Sequence, residues 1–152
     1  MEIADILQSD DKELHLGLFQ FSSEDSNDVI LTRYNLWARF FFPQYFEDED
    51  APFHKDINLG NLDAYRGKID YFVDVAFRGA GKDVKTKLFV AYTILNDKDR
   101  TKRYFKVLSE DTANSKQVVT DIYNMLVHPK IISYYPNTFG KSVFKREETM
   151  GA

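Results

Sequence analysis

Eight consecutive residues have the types and spacing to hold a phosphate: Ala76, Phe77, Arg78, Gly79, Ala80, Gly81, Lys82 and Asp83. In the phosphate-binding pattern G-x-x-x-x-G-K-[ST] each conserved letter has a task. Glycines let the backbone turn so that its amides face phosphate oxygens. The helix that follows adds the positive end of its dipole. Lysine bridges the outer phosphates, and the closing hydroxyl ligates Mg²⁺. Here Gly79, Gly81 and Lys82 supply the turn and the cation, while Ala76 stands at the first glycine and Asp83 at the hydroxyl. A carboxylate can bind Mg²⁺, but it also repels neighbouring phosphates, and at a helix start it favours the fold itself through the dipole. These letters support the shape of a cradle better than its metal chemistry. A tight turn without a ligand would use the same letters.

Other constellations carry less. "TFGKS" at 138–142 contains Gly-Lys-Ser, but no apolar strand leads into it and only a weak helix follows. His15, His54 and His128 are scattered without metal-ligand spacing and read as ordinary polar residues. "NDKDRTKR" at 96–103 reads as a solvated turn whose bases could touch a nucleic-acid backbone. "FFFPQYF" at 40–46 offers aromatic faces and the Gln44 amide to an adenine, with core packing the expected role for most of those rings.

The elements that would position the turn follow from periodicity. "DYFVDVAF", 70–77, reads as a short strand entering it. Residues 84–96 read as a helix leaving it, with Leu88, Ala91, Tyr92 and Leu95 on one stripe and Lys85 and Lys87 outside that stripe. "RYFKVLSED", 103–111, reads as a second strand. Thr112 or Asn114 caps the next helix, whose buried stripe is Val118, Ile122, Met125 and Leu126, and Pro129 stops it. Strand, helix, strand, helix implies a parallel sheet with right-handed crossovers. The expected class is therefore α/β: a partial parallel sheet like that of P-loop NTPases, flanked by helices. Upstream, residues 1–20 show weak helical periodicity. Ser26, Asn27 or Asp28 caps a helix carrying Ile30, Leu31, Tyr34, Trp37, Phe40 and Phe41, which Pro43 ends. The acidic 47–52 stretch reads as a loop, and 52–67 as a short helix loosened by Gly60. The expected organisation is a helical, acidic segment at 1–65 packing on an α/β core at 66–152.

Bulk composition sets the outer bounds. The 152 residues suit one ordinary domain, with 43% hydrophobic and 29% charged residues, the balance of a folded chain rather than a disordered one. There is no cysteine, hence no disulfide or thiolate chemistry, which suits a cytosolic setting. The start, MEIADILQSDDKEL, lacks the pattern of a signal peptide, and no apolar run is long enough to span a membrane. Residues 1–65 hold 14 acidic and 4 basic side chains, whereas 66–152 hold 10 acidic and 16 basic ones. Anion-binding capacity belongs to the second part.

Three segments in order, "LWARFFFPQYFEDEDAPFHKDI", "FRGAGKDVKTKLFVAYTILNDKD" and "YFKVLSEDTANSKQVVTDIYNML", resemble the N-terminal ATPase region of the large terminase subunits of tailed bacteriophages. The resemblance runs from roughly Leu36 to Met150. It implies an ATP-driven motor that packages viral DNA into procapsids, in the cytoplasm of an infected bacterial host. ATP and Mg²⁺ would be its cofactors. Double-stranded DNA, the small terminase subunit and the portal would be its partners, with no membrane and with a ring oligomer only in the intact protein. Carried over, Arg78, Gly79, Ala80, Gly81, Lys82 and Asp83 would be the phosphate-binding positions, with Lys82 and Arg78 the catalytic ones. Two departures stand out. The family's Lys-Thr is Lys82-Asp83 here, and no apolar run ending in paired acids, the family's Walker B element, follows the turn. The chain is therefore expected to be a truncated piece that binds phosphate rather than one that turns ATP over alone. The alternative is a non-catalytic interaction module, its degenerate loop docking on a packaging-motor or host protein.

Overall fold

The structure, a computed structural model, describes residues 2–46, 52–67, 82–99 and 112–136. The chain divides into two compact units, Met1–Arg103 and Tyr104–Ala152. In the first lie α1 (Ile3–Gln8), α2 (Lys12–Phe19), α3 (Asn27–Phe41), a 3₁₀ turn at Pro43–Phe46, α4 (Pro52–Tyr65) and α5 (Lys82–Asn96). The second holds α6 (Thr112–Leu126) and α7 (Pro129–Tyr134). No helix among the described residues is long and apolar enough to cross a membrane.

α3 begins where its cap dictates. The Ser26 hydroxyl accepts from the Val29 amide at 3.3 Å, satisfying one of the donors a helix start leaves free. From there Ile30, Leu31, Tyr34, Trp37, Ala38 and Phe41 are buried at helical spacing. The Phe42 amide closes the last turn on the Ala38 carbonyl, and Pro43, with no amide hydrogen to give, starts the 3₁₀ turn.

The core of this unit is aromatic and lies between helices. α5 buries Leu88, Phe89, Ala91, Tyr92 and Leu95. Tyr92 meets Tyr34 and Trp37 of α3 edge to face, both at 5.4 Å between ring centroids. Such pairs add about 0.5–1.5 kcal/mol each beyond the area they bury. The Tyr92 hydroxyl donates to the Phe19 carbonyl at the end of α2, 2.6 Å away, so its polar end is satisfied inside the core. α4 packs on α3 and α5 and contributes Ile57, Leu62 and Tyr65. It runs through Gly60 without a break and ends at Tyr65; two residues on, Gly67 has a φ of 74°, the left-handed conformation that glycine adopts freely.

The expected α/β class is corrected here. Among the described residues there is no strand or sheet; the extended pairing is one isolated parallel bridge, Phe21 with Asp97. The reason lies in the packing. The apolar stripe of α5 that a sheet would cover meets the aromatic stripe of α3 and the apolar face of α4. The two expected strands, 70–77 and 103–111, lie outside the described residues.

In the second unit α6 and α7 pack together, with Met125, Leu126, Ile131 and Tyr135 buried. Val118 and Ile122, expected on the buried stripe of α6, are only half-buried. His128 caps α7: its Nδ1 accepts from the Lys130 amide at 3.2 Å, ahead of Pro129 at the first helical position.

Candidate phosphate-binding site

α5 opens at Lys82, the residue that closes the Arg-Gly-Ala-Gly string, and Asp83 follows in its first turn. Arg78, Gly79, Ala80 and Gly81 lie outside the described residues, as does the second Gly-Lys-Ser at 140–142. What the structure does describe is the surroundings of the first turn of α5, and these include Lys85, which periodicity alone placed outside the buried stripe.

Lys85, expected outside the buried stripe, is 4% exposed. Its Nζ sits 4.1 Å from the centroid of the Phe46 ring, at the end of the 3₁₀ turn. The guanidinium carbon of Arg39, near the end of α3, lies 4.7 Å from the same centroid. An aromatic face attracts a cation through its quadrupole, the more so when water is excluded. The Tyr34 hydroxyl donates to the Lys85 carbonyl at 3.3 Å, tying the start of α5 to the middle of α3. Within "FFFPQYF", Phe41 and Phe42 are core residues, Phe40 and Phe46 are half-buried, and Gln44 and Tyr45 face solvent. The sequence held one signal for this arrangement: Pro43 stops α3 two residues after Phe41, which obliges the chain to turn and bring Phe46 back toward its neighbours.

The far end of α5 is locked by polar groups. Asn96 is buried and donates from Nδ2 to the Tyr92 carbonyl at 3.0 Å. The Phe21 amide donates to the Asn96 carbonyl at 3.0 Å and the Lys98 amide to the Phe21 carbonyl at 2.9 Å, which makes the isolated bridge. Asp97, expected in a solvated turn, is 5% exposed. Its carboxylate accepts from the Tyr65 hydroxyl and from the Asp99 amide. Asp99 accepts from the Ser23 amide at 2.6 Å; that bond, and next a bond from the Ser23 side chain, hold its carboxyl below the usual value of 3.8, with a smaller contribution from the Lys98 charge. Nearby, Arg66 donates to Asn27 Oδ1 and the Ser23 carbonyl, and Asn27 Nδ2 donates to Asp63. Ser23, in the loop before α3, and Asn27, the first residue of α3, are thereby tied to Asp63 and Arg66 and, through Asp99, to the residues after α5.

His15 is buried, with Nε2 2.7 Å from the Ile6 carbonyl and its ring edge-on to Phe40. Among the described residues no group of three or more acidic or histidine side chains is gathered to hold a metal. No protein-family profile, curated protein or solved structure matches the chain.

Proposed function

We propose that this chain binds the phosphates of ATP through the turn Arg78–Asp83, as the N-terminal ATPase region of a DNA-packaging motor of the large-terminase type. The observation that carries the reading is that α5, a helix of 15 residues, starts at Lys82 itself. A glycine turn running straight into a helix start is how amides and the positive dipole end are brought to an anion. In this reading the amides of Gly79 to Lys82 cradle the phosphates. Lys82 neutralises the β- and γ-phosphates, and Arg78 adds a contact. ATP supplies a phosphoryl group and Mg²⁺ would neutralise the charge that develops on it. Asp83 offers one carboxylate where the family has a hydroxyl, and that single ligand does not make a metal site. The supported activity is therefore phosphate binding, with double-stranded DNA, the small subunit and the portal as partners of the assembled motor.

A second reading is favoured by Asp83, a carboxylate where the phosphate pattern has a hydroxyl: a non-catalytic module that docks on another motor or host protein. Titration with a non-hydrolysable ATP analogue, with and without Mg²⁺, separates the two. Lys82→Ala should lose roughly 10–100-fold in affinity, the worth of one charge-assisted bond. Asp83→Thr should bind more tightly, and only when Mg²⁺ is present. Absence of binding by the unmodified chain would support the docking module.

A further inference from the structure

The turn before α3 reads Ser22-Ser23-Glu24-Asp25-Ser26, three hydroxyls among acids. It is closed by the Asp25 amide on the Ser22 carbonyl at 3.1 Å and by the Ser22 amide on Asp25 Oδ2 at 2.9 Å. Ser22 is half-buried in that turn, and the Ser26 hydroxyl is occupied as the cap of α3. Ser23 is exposed at the tip, and the turn is latched through it. Its amide donates to Asp99 Oδ2, beyond the end of α5, at 2.6 Å, and its hydroxyl bonds the same carboxylate. Its carbonyl accepts from Arg66 Nη2 at 2.9 Å, while Arg66 Nη1 donates to Asn27 Oδ1 at 2.8 Å, so both guanidinium bonds go to neutral oxygens.

A serine followed directly by two carboxylates has the charge pattern that a kinase with a basic substrate groove selects. Phosphorylation reverses the electrostatics of the latch. A phosphoserine carries about −1.5 to −2 charges near neutral pH and accepts where the hydroxyl donated. The Asp99 carboxylate repels that charge, whereas the Arg66 guanidinium bonds phosphate oxygens more strongly than neutral ones. We propose that Ser23 is a phosphorylation site for an acidophilic serine kinase, and that its phosphate exchanges the turn's bond to Asp99 for one to Arg66. In the transfer a bond forms from Ser23 Oγ to the γ-phosphorus of ATP and the β,γ-bridging P–O bond breaks. The hydroxyl proton passes to the kinase's carboxylate base, and ADP leaves. The Phe21–Asp97 bridge, between the turn and the end of α5, loses the Asp99 contact that supports it. This inference is independent of the phosphate-binding reading above.

The folded full chain is incubated with ATP and an acidophilic kinase of the casein-kinase type, and the products are mapped by mass spectrometry. One phosphate at Ser23 is expected, retained in Ser22→Ala, lost in Ser23→Ala, and added several-fold more slowly to Glu24→Gln. Labelling at Ser22 or Ser26 instead, labelling at Ser23 only once urea has unfolded the chain, or no labelling overturns the site. Emission from Trp37, the single tryptophan, reports whether each variant keeps the fold. Phosphorus NMR then tests the exchange of partners. The second ionisation of the phosphate, ordinarily near about pH 6, should lie lower in the chain with Arg66 than in Arg66→Gln, because the guanidinium favours the dianion. The carboxylates of Glu24, Asp25 and Asp99 act on the phosphate in both proteins and cancel in the comparison. Equal values with and without Arg66 overturn the exchange. Should Arg66→Gln unfold, the Asp99 carboxyl carries the test: its titration, followed by carbon NMR, should move upward on phosphorylation of the otherwise unmodified chain. No movement there overturns the exchange.

Discussion

Asp97 brings a carboxylate into an aromatic core, and the Tyr65 hydroxyl meets it there. A buried polar group is tolerated only where hydrogen bonds replace water, so Tyr65→Phe should cost about 1–3 kcal/mol, read as a lower urea midpoint. Nothing in "NDKDRTKR" distinguishes Asp97 from Asp99, because burial is decided by α4, some 30 residues upstream, rather than by local spacing. Lys85 was missed for the same reason: the ring that holds it comes from the 3₁₀ turn on the far side of α4. Asp99 gives a pH test. Its folded carboxyl titrates below the ordinary 3.8 because the Ser23 amide and its neighbours favour the charged form. The stability it contributes is full above the unfolded value and lost as pH falls through the lower folded one. Asp99→Asn should therefore be less stable than the unmodified chain at neutral pH. The gap between their urea midpoints should close on acidification below about pH 4, the ordinary range for an aspartate. A gap independent of pH would contradict this assignment.

At the scale of elements, helix positions were legible from periodicity, including the weak pattern of residues 1–20 that holds α1 and α2, whereas helix extent and burial were less so. α3 could be read from its Ser26 cap, its apolar stripe and Pro43, and α5 from Leu88, Ala91, Tyr92 and Leu95. In both, local spacing and tertiary burial agree. Ser26→Ala tests the cap: removing the acceptor from the Val29 amide should cost about 1 kcal/mol in chemical denaturation, and Ser26→Asp should restore it. α4 was read within 52–67 as a short helix loosened by Gly60. It runs 14 residues through that glycine, and the burial of Ile57, Leu62 and Tyr65 offsets the roughly 1 kcal/mol that glycine costs relative to alanine. α6 shows the reverse error. Four apolar positions share a helical stripe, but only Met125 and Leu126 lie where α7 and its surroundings cover them fully.

For the whole molecule, the expectation of an α/β protein came from two short apolar runs, 70–77 ahead of the glycine segment and 103–111 beyond the helix that follows it. Such runs do not by themselves distinguish a buried strand from a buried helix segment. The described residues build their core from helix on helix, with Tyr34, Trp37 and Tyr92 as its centre. The sequence placed a helix at 84–96 and α5 starts two residues earlier, at Lys82, whereas the cations on Phe46 emerge only from packing. The excess of bases after residue 65 fits an anion ligand and sets no fold. The most direct measurement is calorimetric titration of the full chain with a non-hydrolysable ATP analogue, beside Lys82→Ala. Binding by the unmodified chain that falls roughly 10–100-fold in the variant is the predicted result. Equal binding by both proteins, or none by either, would contradict the claim that the turn before α5 holds phosphate.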